Sequence, residues 1–349
     1  MDVDTIYDTI VIGGGQAGLA TGYHLKRLGR SFVVLDGNAR SGDSWRNRWD
    51  CLRLFTPARY SALPGMAFPG PGGAYPSKDD MADYLEAYAK RFDLPVRTDT
   101  AAKRLDRRDG RFIVTTADDG TVEGRHVIVA TGLTQRPPPF AHRLHPSVQQ
   151  FQALDGTNRY RNPRQLPDGP ALVVGAGNSG AEIAMDLAPG RRVWLSGRDT
   201  GRIPLRALRL PPFWWAVQAL NADNRLGRKL VRGPQRGTPL VRVRSQDLAN
   251  AGVERIPRSV DAHDRSVILA DGRRVQPAAV IWCNGPAYRT DWINLPILDE
   301  SGRLRHRRGL SDDVPGLGFV GLPFQHSLGS GLIKGMIRDA AHVAENLHR

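Results

Sequence analysis

The sequence predicts an α/β protein of two similar units, the second inserted in the first, and three observations predict it. The apolar run over residues 6–12 leads into Gly13-Gly14-Gly15-Gln16-Ala17-Gly18, and an apolar-periodic segment follows. A near-copy, Gly175-Ala176-Gly177-Asn178-Ser179-Gly180, begins 162 residues later behind the apolar run Ala171-Leu172-Val173-Val174. After each copy comes another short apolar run, ending in Asp36 in the first case and in Ser196-Gly197-Arg198 in the second.

Strand, glycine turn and helix in that order form a phosphate-binding turn. The first glycine permits the bend, the second lets a pyrophosphate approach the backbone, and the third lets helix pack on strand. Asp36 lies 18 residues beyond Gly18, where a carboxylate binds ribose hydroxyls. The second unit carries no acid there. A hydroxyl and a guanidinium, Ser196 and Arg198, suit a 2′-phosphate and so NADPH over NADH. The expected fold is therefore a pair of Rossmann-like dinucleotide-binding domains. Residues 1–140 with 290–349 form the first, and residues 165–289 the second.

Between the glycine turns the chain reads in order as follows. Asp43-Ser44-Trp45-Arg46-Asn47-Arg48-Trp49-Asp50 interleaves two tryptophans with arginines just after the ribose acid, which favours contact of Trp45 and Trp49 with the same ligand over a role as core anchors. A proline- and glycine-rich irregular stretch covers 63–76. Ser77 then caps a helix whose Met81, Tyr84, Leu85 and Tyr88 form a core stripe. Residues 95–129 read as a small antiparallel insert returning into Ala130-Thr131-Gly132. The segment 151–168 reads as polar and irregular.

Within the second unit, residues 210–220 are apolar and aromatic. Packing or a pocket wall is the favoured role, over attachment to a membrane surface, because the segment lacks a strongly charged opposite face. A hairpin is expected over 266–275. The strand end Cys283-Asn284-Gly285 resembles Ala130-Thr131-Gly132, and a last helix is expected from about Gly331 to Leu347.

Composition narrows the function classes. The 349 residues are 40% hydrophobic and 24% charged, ordinary for a globular protein. Two cysteines, Cys51 and Cys283, exclude a disulfide framework and any C-x-x-C redox pair. No apolar run is long enough for a membrane span, and the acidic start Met1-Asp2-Val3-Asp4 is unlike a secretory signal, so a cytoplasmic protein without integral membrane association is expected. The net charge of +14 is scattered and mostly arginine, without a nucleic-acid-binding motif. His142 and His145 lack a third ligand, so no metal site is expected.

Two nucleotide sites of different polarity suit one transaction, in which NADPH gives a hydride to a bound flavin. The ordered set Gly13 to Ala20, Asp43-Ser44-Trp45-Arg46, Leu52-Arg53-Leu54-Phe55-Thr56-Pro57, Tyr75-Pro76, Ala130-Thr131-Gly132, Gly175 to Glu182 and Ser196-Gly197-Arg198 resembles the short class B flavin monooxygenases. These include bacterial flavoproteins described as linked to cation transport and plant indole-3-pyruvate monooxygenases.

The resemblance implies FAD held by Gly13, Gly15, Gln16, Ala17, Gly18, Asp36, Trp45, Arg46, Thr131 and Gly132. It implies NADPH held by Gly175, Gly177, Asn178, Ser179, Gly180, Ser196 and Arg198. It also implies a C4a-(hydro)peroxyflavin that transfers oxygen from O2 to a small organic substrate. Thr56 and His326, in loops expected near the flavin ring, are the candidate catalytic groups. The chain departs from the family in lacking a histidine over 151–160 and in carrying Cys283-Asn284-Gly285-Pro286 at the second strand end. An NADPH-flavin oxidoreductase or oxidase without oxygen insertion is thus the alternative.

Overall fold

A computed structural model of the chain describes residues 6–154, 158–232, 239–285 and 288–348. Residues 155–157 of the histidine-free stretch, Pro286 and the acidic Met1-Asp2-Val3-Asp4 start lie outside the described residues.

The chain opens with β1 (Tyr7–Ile12), α1 (Gln16–Arg27) and β2 (Phe32–Leu35). Ile10, Val11 and Ile12 are buried on both faces of the sheet, which is why β1 is continuously apolar at its end. A single turn, α2 (Asp43–Arg46), precedes the longer α3 (Lys78–Arg91). Ser77 caps α3 reciprocally: its hydroxyl accepts from the Asp80 N–H at 3.1 Å, while its own N–H donates to the Asp80 carboxylate at 2.8 Å. Such a box stabilises a helix start by about 1 kcal/mol. The expected stripe is core, and it also organises the irregular stretch before it. Tyr84 Oη accepts from the Leu63 N–H and donates to the Met66 carbonyl, both at 2.7 Å, and Tyr88 donates to Pro64 at 2.7 Å.

After the short β3 (Val96–Arg97), strands β4 (Ala102–Arg108), β5 (Arg111–Thr116) and β6 (Thr121–Val129) make the antiparallel insert. The second half of β6 lies parallel to β1, with Ile12 opposite Val129.

A second, all-parallel sheet is built from β7 (Gln149–Gln152), β8 (Ala171–Val174), β9 (Val193–Ser196), β10 (Glu254–Ile256) and β14 (Ala279–Trp282), in the order β10-β9-β8-β14-β7. Helix α4 (Asn178–Leu187) joins β8 to β9. Between β9 and β10 come α5 (Pro211–Ala219), α6 (Arg225–Arg232) and α7 (Ser245–Asn250). The expected hairpin is β12 (Ser266–Leu269) with β13 (Arg274–Val275), joined by β11 (Ser259–His263) into a three-stranded sheet. One expectation changes: Gln149–Gln152, which runs into the stretch read as irregular from 151, is an edge strand whose pairing comes from β14.

The chain then returns to the first sheet through β15 (His306–Arg307), β16 (Leu310–Ser311) and β17 (Leu317–Phe319). That sheet runs β15-β16-β17-β6-β1-β2-β3, and α8 (Ile333–Asn346) packs along α1.

Candidate dinucleotide sites

The two glycine turns repeat each other bond for bond. The Gly13 N–H donates to the Leu35 carbonyl at 2.7 Å, and the Gly175 N–H to the Ser196 carbonyl at 2.9 Å. Behind them, the Ala130 N–H donates to Ile12 at 2.8 Å and the Cys283 N–H to Val174 at 2.7 Å. The strand ends at Ala130 and Cys283 therefore occupy equivalent places, as their resemblance suggested. Gly13 and Gly175 have φ of +109° and +115°, a region that favours glycine. A Cβ on Gly13 would stand 2.5 Å from the Ala130 carbonyl oxygen, and one on Gly175 would strike that of Cys283.

The third glycines are packed just as tightly. A Cβ on Gly18 would strike the Gly13 carbonyl oxygen, and one on Gly180 that of Gly175. The middle glycines are different. A Cβ on Gly15 would meet only Ser44 Oγ, at 3.7 Å, and one on Gly177 nothing within 4 Å. Both residues start a helix, α1 or α4, in extended conformation and without a side-chain cap. Uncapped N–H groups at a helix start, beside backbone left bare on its open side, are an anion cradle. Ser44 Oγ is buried there without a hydrogen-bond partner, a donor that a diphosphate of FAD would satisfy. On this count the first cradle fits the cofactor.

At the end of β2, Asp36 is buried, and its Oδ1 accepts from the Asn38 N–H at 3.0 Å and from Asn38 Nδ2 at 2.8 Å. Burial raises its pKa, and the bonds from Asn38 oppose the rise. A Cβ on Gly14 would collide with the carboxylate, so Gly14 makes Asp36 possible. In the second unit the matched hydrogen bonds put Ser196 in the place of Leu35 and Gly197 in the place of Asp36. Gly197 lies against Ala176, where a Cβ would be 2.9 Å away, and as a glycine it offers no carboxylate at that position. The Ser196 hydroxyl donates to the Pro257 carbonyl at 2.9 Å, lies 2.9 Å from Ser259 Oγ and accepts from the Ser259 N–H at 2.8 Å. Arg198 is exposed, and Thr200 Oγ1 is buried without a hydrogen-bond partner.

The other expected ligands sort by what they touch. Trp45 Nε1 donates to Gln16 Oε1 at 3.0 Å, tying α2 to the first turn of α1. Arg46 is caged by Asp43, Asp83 and Glu86 at 3.0, 2.9 and 2.6 Å; burial lowers its pKa, and these carboxylates more than offset that and raise it. It braces α2 against α3 behind the cradle. Ala17 is buried, Thr131 is exposed, and Gly132 has φ +74° at the open end of β6. Asn178 clamps the chain from the far side, its Oδ1 accepting from the Val241 N–H at 2.9 Å and its Nδ2 donating to the Pro239 carbonyl at 2.9 Å. Ser179 is half-buried in the same first turn of α4.

Thr56 is buried, with its hydroxyl 2.8 Å from Ser61 Oγ, and so closes its own turn. His326 is half-buried in the loop before α8, 3.8 Å from Asp223, and its Nδ1 has no hydrogen-bond partner. Burial, then the charge of Arg308, lowers its pKa, so the imidazole is neutral at pH 7. Ser44, Gly14 and Thr200 were not among the expected ligands. The signal for Gly14 was present in the run of three consecutive glycines, one more than the turn itself requires.

Two such cradles in one chain, with their different strand ends, define a flavoprotein oxidoreductase of the two-dinucleotide class. Residues 10–204 match the pyridine nucleotide-disulphide oxidoreductase family, and the chain belongs to it. It is 40% identical to an uncharacterized CzcO-like oxidoreductase of Geobacillus kaustophilus, with 98% of each chain covered. It is 28% identical to the rice indole-3-pyruvate monooxygenase YUCCA1 over 97% of this chain and 91% of that one. Its fold matches a flavin-containing monooxygenase from Stenotrophomonas maltophilia with a TM-score of 0.76, 25% identity and 98% coverage of both chains. The protein is a flavin-dependent oxidoreductase. Cys51 and Cys283 are both free, and Cys283 is buried.

Proposed function

We propose that this chain is an NADPH-dependent flavin monooxygenase acting on a small organic substrate, with FAD on the turn at Gly13 and NADPH on the turn at Gly175. One observation carries the assignment: the two cradles share backbone geometry but differ at the strand end, Asp36 against Gly197 and Arg198. An acid beside the ribose accepts from free hydroxyls and repels a 2′-phosphate; its absence beside an exposed guanidinium favours one. Residues 1–140 and 290–349 form the FAD domain in this reading, and 165–289 the NADPH domain. An NADPH-consuming reaction also suits the cytoplasm.

A bound FAD would supply two-electron chemistry between NADPH and O2, with one oxygen atom entering the substrate and the other leaving as water with the proton taken up. The chain's own residues bind and orient. The first-turn N–H groups of α1 and the Ser44 hydroxyl hold the diphosphate, and Asp36 accepts from the ribose. Gln16, fixed by Trp45, sets the start of α1. The first turn of α4, with Ser179, receives the second diphosphate, while Arg198 and the Thr200 hydroxyl meet the 2′-phosphate. Thr131 and Gly132 close the open end of the first sheet. His326 is the candidate proton carrier, because its buried Nδ1 has no hydrogen-bond partner. Thr56 positions the 56–61 turn through Ser61.

The test is to supply NADPH and O2 with candidate heteroatom and ketone substrates and to compare NADPH consumed with hydrogen peroxide released. A substrate that lowers peroxide while NADPH is still consumed, with labelled oxygen in its product, supports the reading. Peroxide equal to NADPH for every substrate supports an oxidase instead.

A further inference from the structure

Helix α5 is apolar on two opposite faces. Trp214 and Val217 are buried inward, and the Trp214 ring lies 4.7 Å from that of Tyr60. Facing solvent at i, i+3, i+4 and i+7 are Pro212, Trp215, Ala216 and Ala219, with Trp215 70% exposed. A helix apolar all round belongs inside a core or against an apolar phase. Leu210 and Leu226, on either side of α5 in the chain, are also exposed, at 56% and 59%.

The charge around this stripe has one sign. Residues 200–232 hold seven basic side chains and a single acid, Asp223. Exposed Arg202 and Arg206 precede α5, and exposed Arg225, Arg228 and Lys229 follow it on α6. The strongly charged element missing from 210–220 itself is therefore supplied by its neighbours along the chain. Among the described residues no helix is long and apolar enough to cross a membrane.

We propose that α5 and its basic flanks form a docking surface for an anionic lipid bilayer, with Trp215 seated at the interface and the flanking cations on the headgroups. Tryptophan prefers that depth, and cations add attraction to acidic headgroups. A protein partner or a second copy of this chain would cover the apolar stripe but has no need of cations at both ends. The inference stands independently of the oxygen chemistry.

The test is sedimentation of the FAD-loaded full chain with vesicles of phosphatidylcholine alone or mixed equally with phosphatidylglycerol. Pelleting with the anionic vesicles only, falling as salt rises, is expected. Trp215→Ala and the pair Arg225→Glu with Lys229→Glu should each bind at least about tenfold more weakly, with flavin absorbance and NADPH oxidation unchanged. Equal binding to both vesicles, or Trp215→Ala binding as well as the parent, overturns the proposal. So does a dimer in sedimentation velocity that Trp215→Ala dissociates while vesicle binding is unaltered.

Discussion

The carboxylate of Asp36 occupies the space that the missing side chain of Gly14 leaves free. Gly14→Ala should displace Asp36 without touching the diphosphate cradle. Purified Gly14→Ala and Asp36→Ala proteins are both expected to bind FAD about 10- to 100-fold more weakly, the loss of a charge-assisted hydrogen bond. Titration of apoprotein with FAD, followed by flavin fluorescence, measures it. Unchanged affinity in both would remove Asp36 from the site.

The middle and third glycines separate binding from folding. Gly177→Ala places a methyl in open space, so melting should be unaltered while NADPH binding falls at least tenfold. Gly180→Ala drives its methyl into the Gly175 carbonyl, and a loss of more than about 2 kcal/mol of stability is expected. Gly15→Ala and Gly18→Ala should repeat the contrast for FAD. Equal melting temperatures for Gly177→Ala and Gly180→Ala would contradict the geometry.

Arg198 is the exposed cation at the second strand end. Arg198→Ala should lower kcat/KM for NADPH by about 10- to 100-fold and leave that for NADH nearly unchanged. Steady-state kinetics with the two nucleotides decide it, and an equal loss for both would refute a 2′-phosphate contact.

Glu182, on α4, has its pKa raised to about 7 by burial, which outweighs the Arg242 guanidinium 3.4 Å away. A raised acid binds its proton more tightly folded than unfolded. Its unfavourable effect is therefore absent well below pH 4.5, grows as pH rises towards 7 and is complete above that. Glu182→Gln should stabilise the protein by about 1–2 kcal/mol at pH 8 and give no gain at pH 4. Denaturant titrations at the two pH values test this.

Local chemistry made much of the fold legible in the sequence: two strand–turn–helix units, the Ser77 cap, the Tyr84 and Tyr88 stripe and the last helix. The edge strand Gln149–Gln152 was not, because its polar residues show no alternation and its partner β14 lies over a hundred residues away. The site was legible where backbone dictates residue type, as at Gly13 and Gly175. It was not where role depends on which way a side chain turns. Ser196 was read from its place beside Arg198, yet its hydroxyl faces Pro257 and Ser259. Ser44 gained meaning only when α2 folded over Gly15. Likewise Trp214 and Trp215 are neighbours in sequence, and only helical phase sends one inward and the other to solvent.

Oxygen insertion is tested most directly by rapid mixing. Enzyme reduced anaerobically by NADPH, with NADP⁺ kept bound, is mixed with O2 while the flavin spectrum is followed. A long-lived oxygenated-flavin absorbance, lost when Gly177→Ala weakens the nucleotide, is the expected result. Immediate return of oxidised flavin with one hydrogen peroxide per flavin, whether or not NADP⁺ is present, would contradict it.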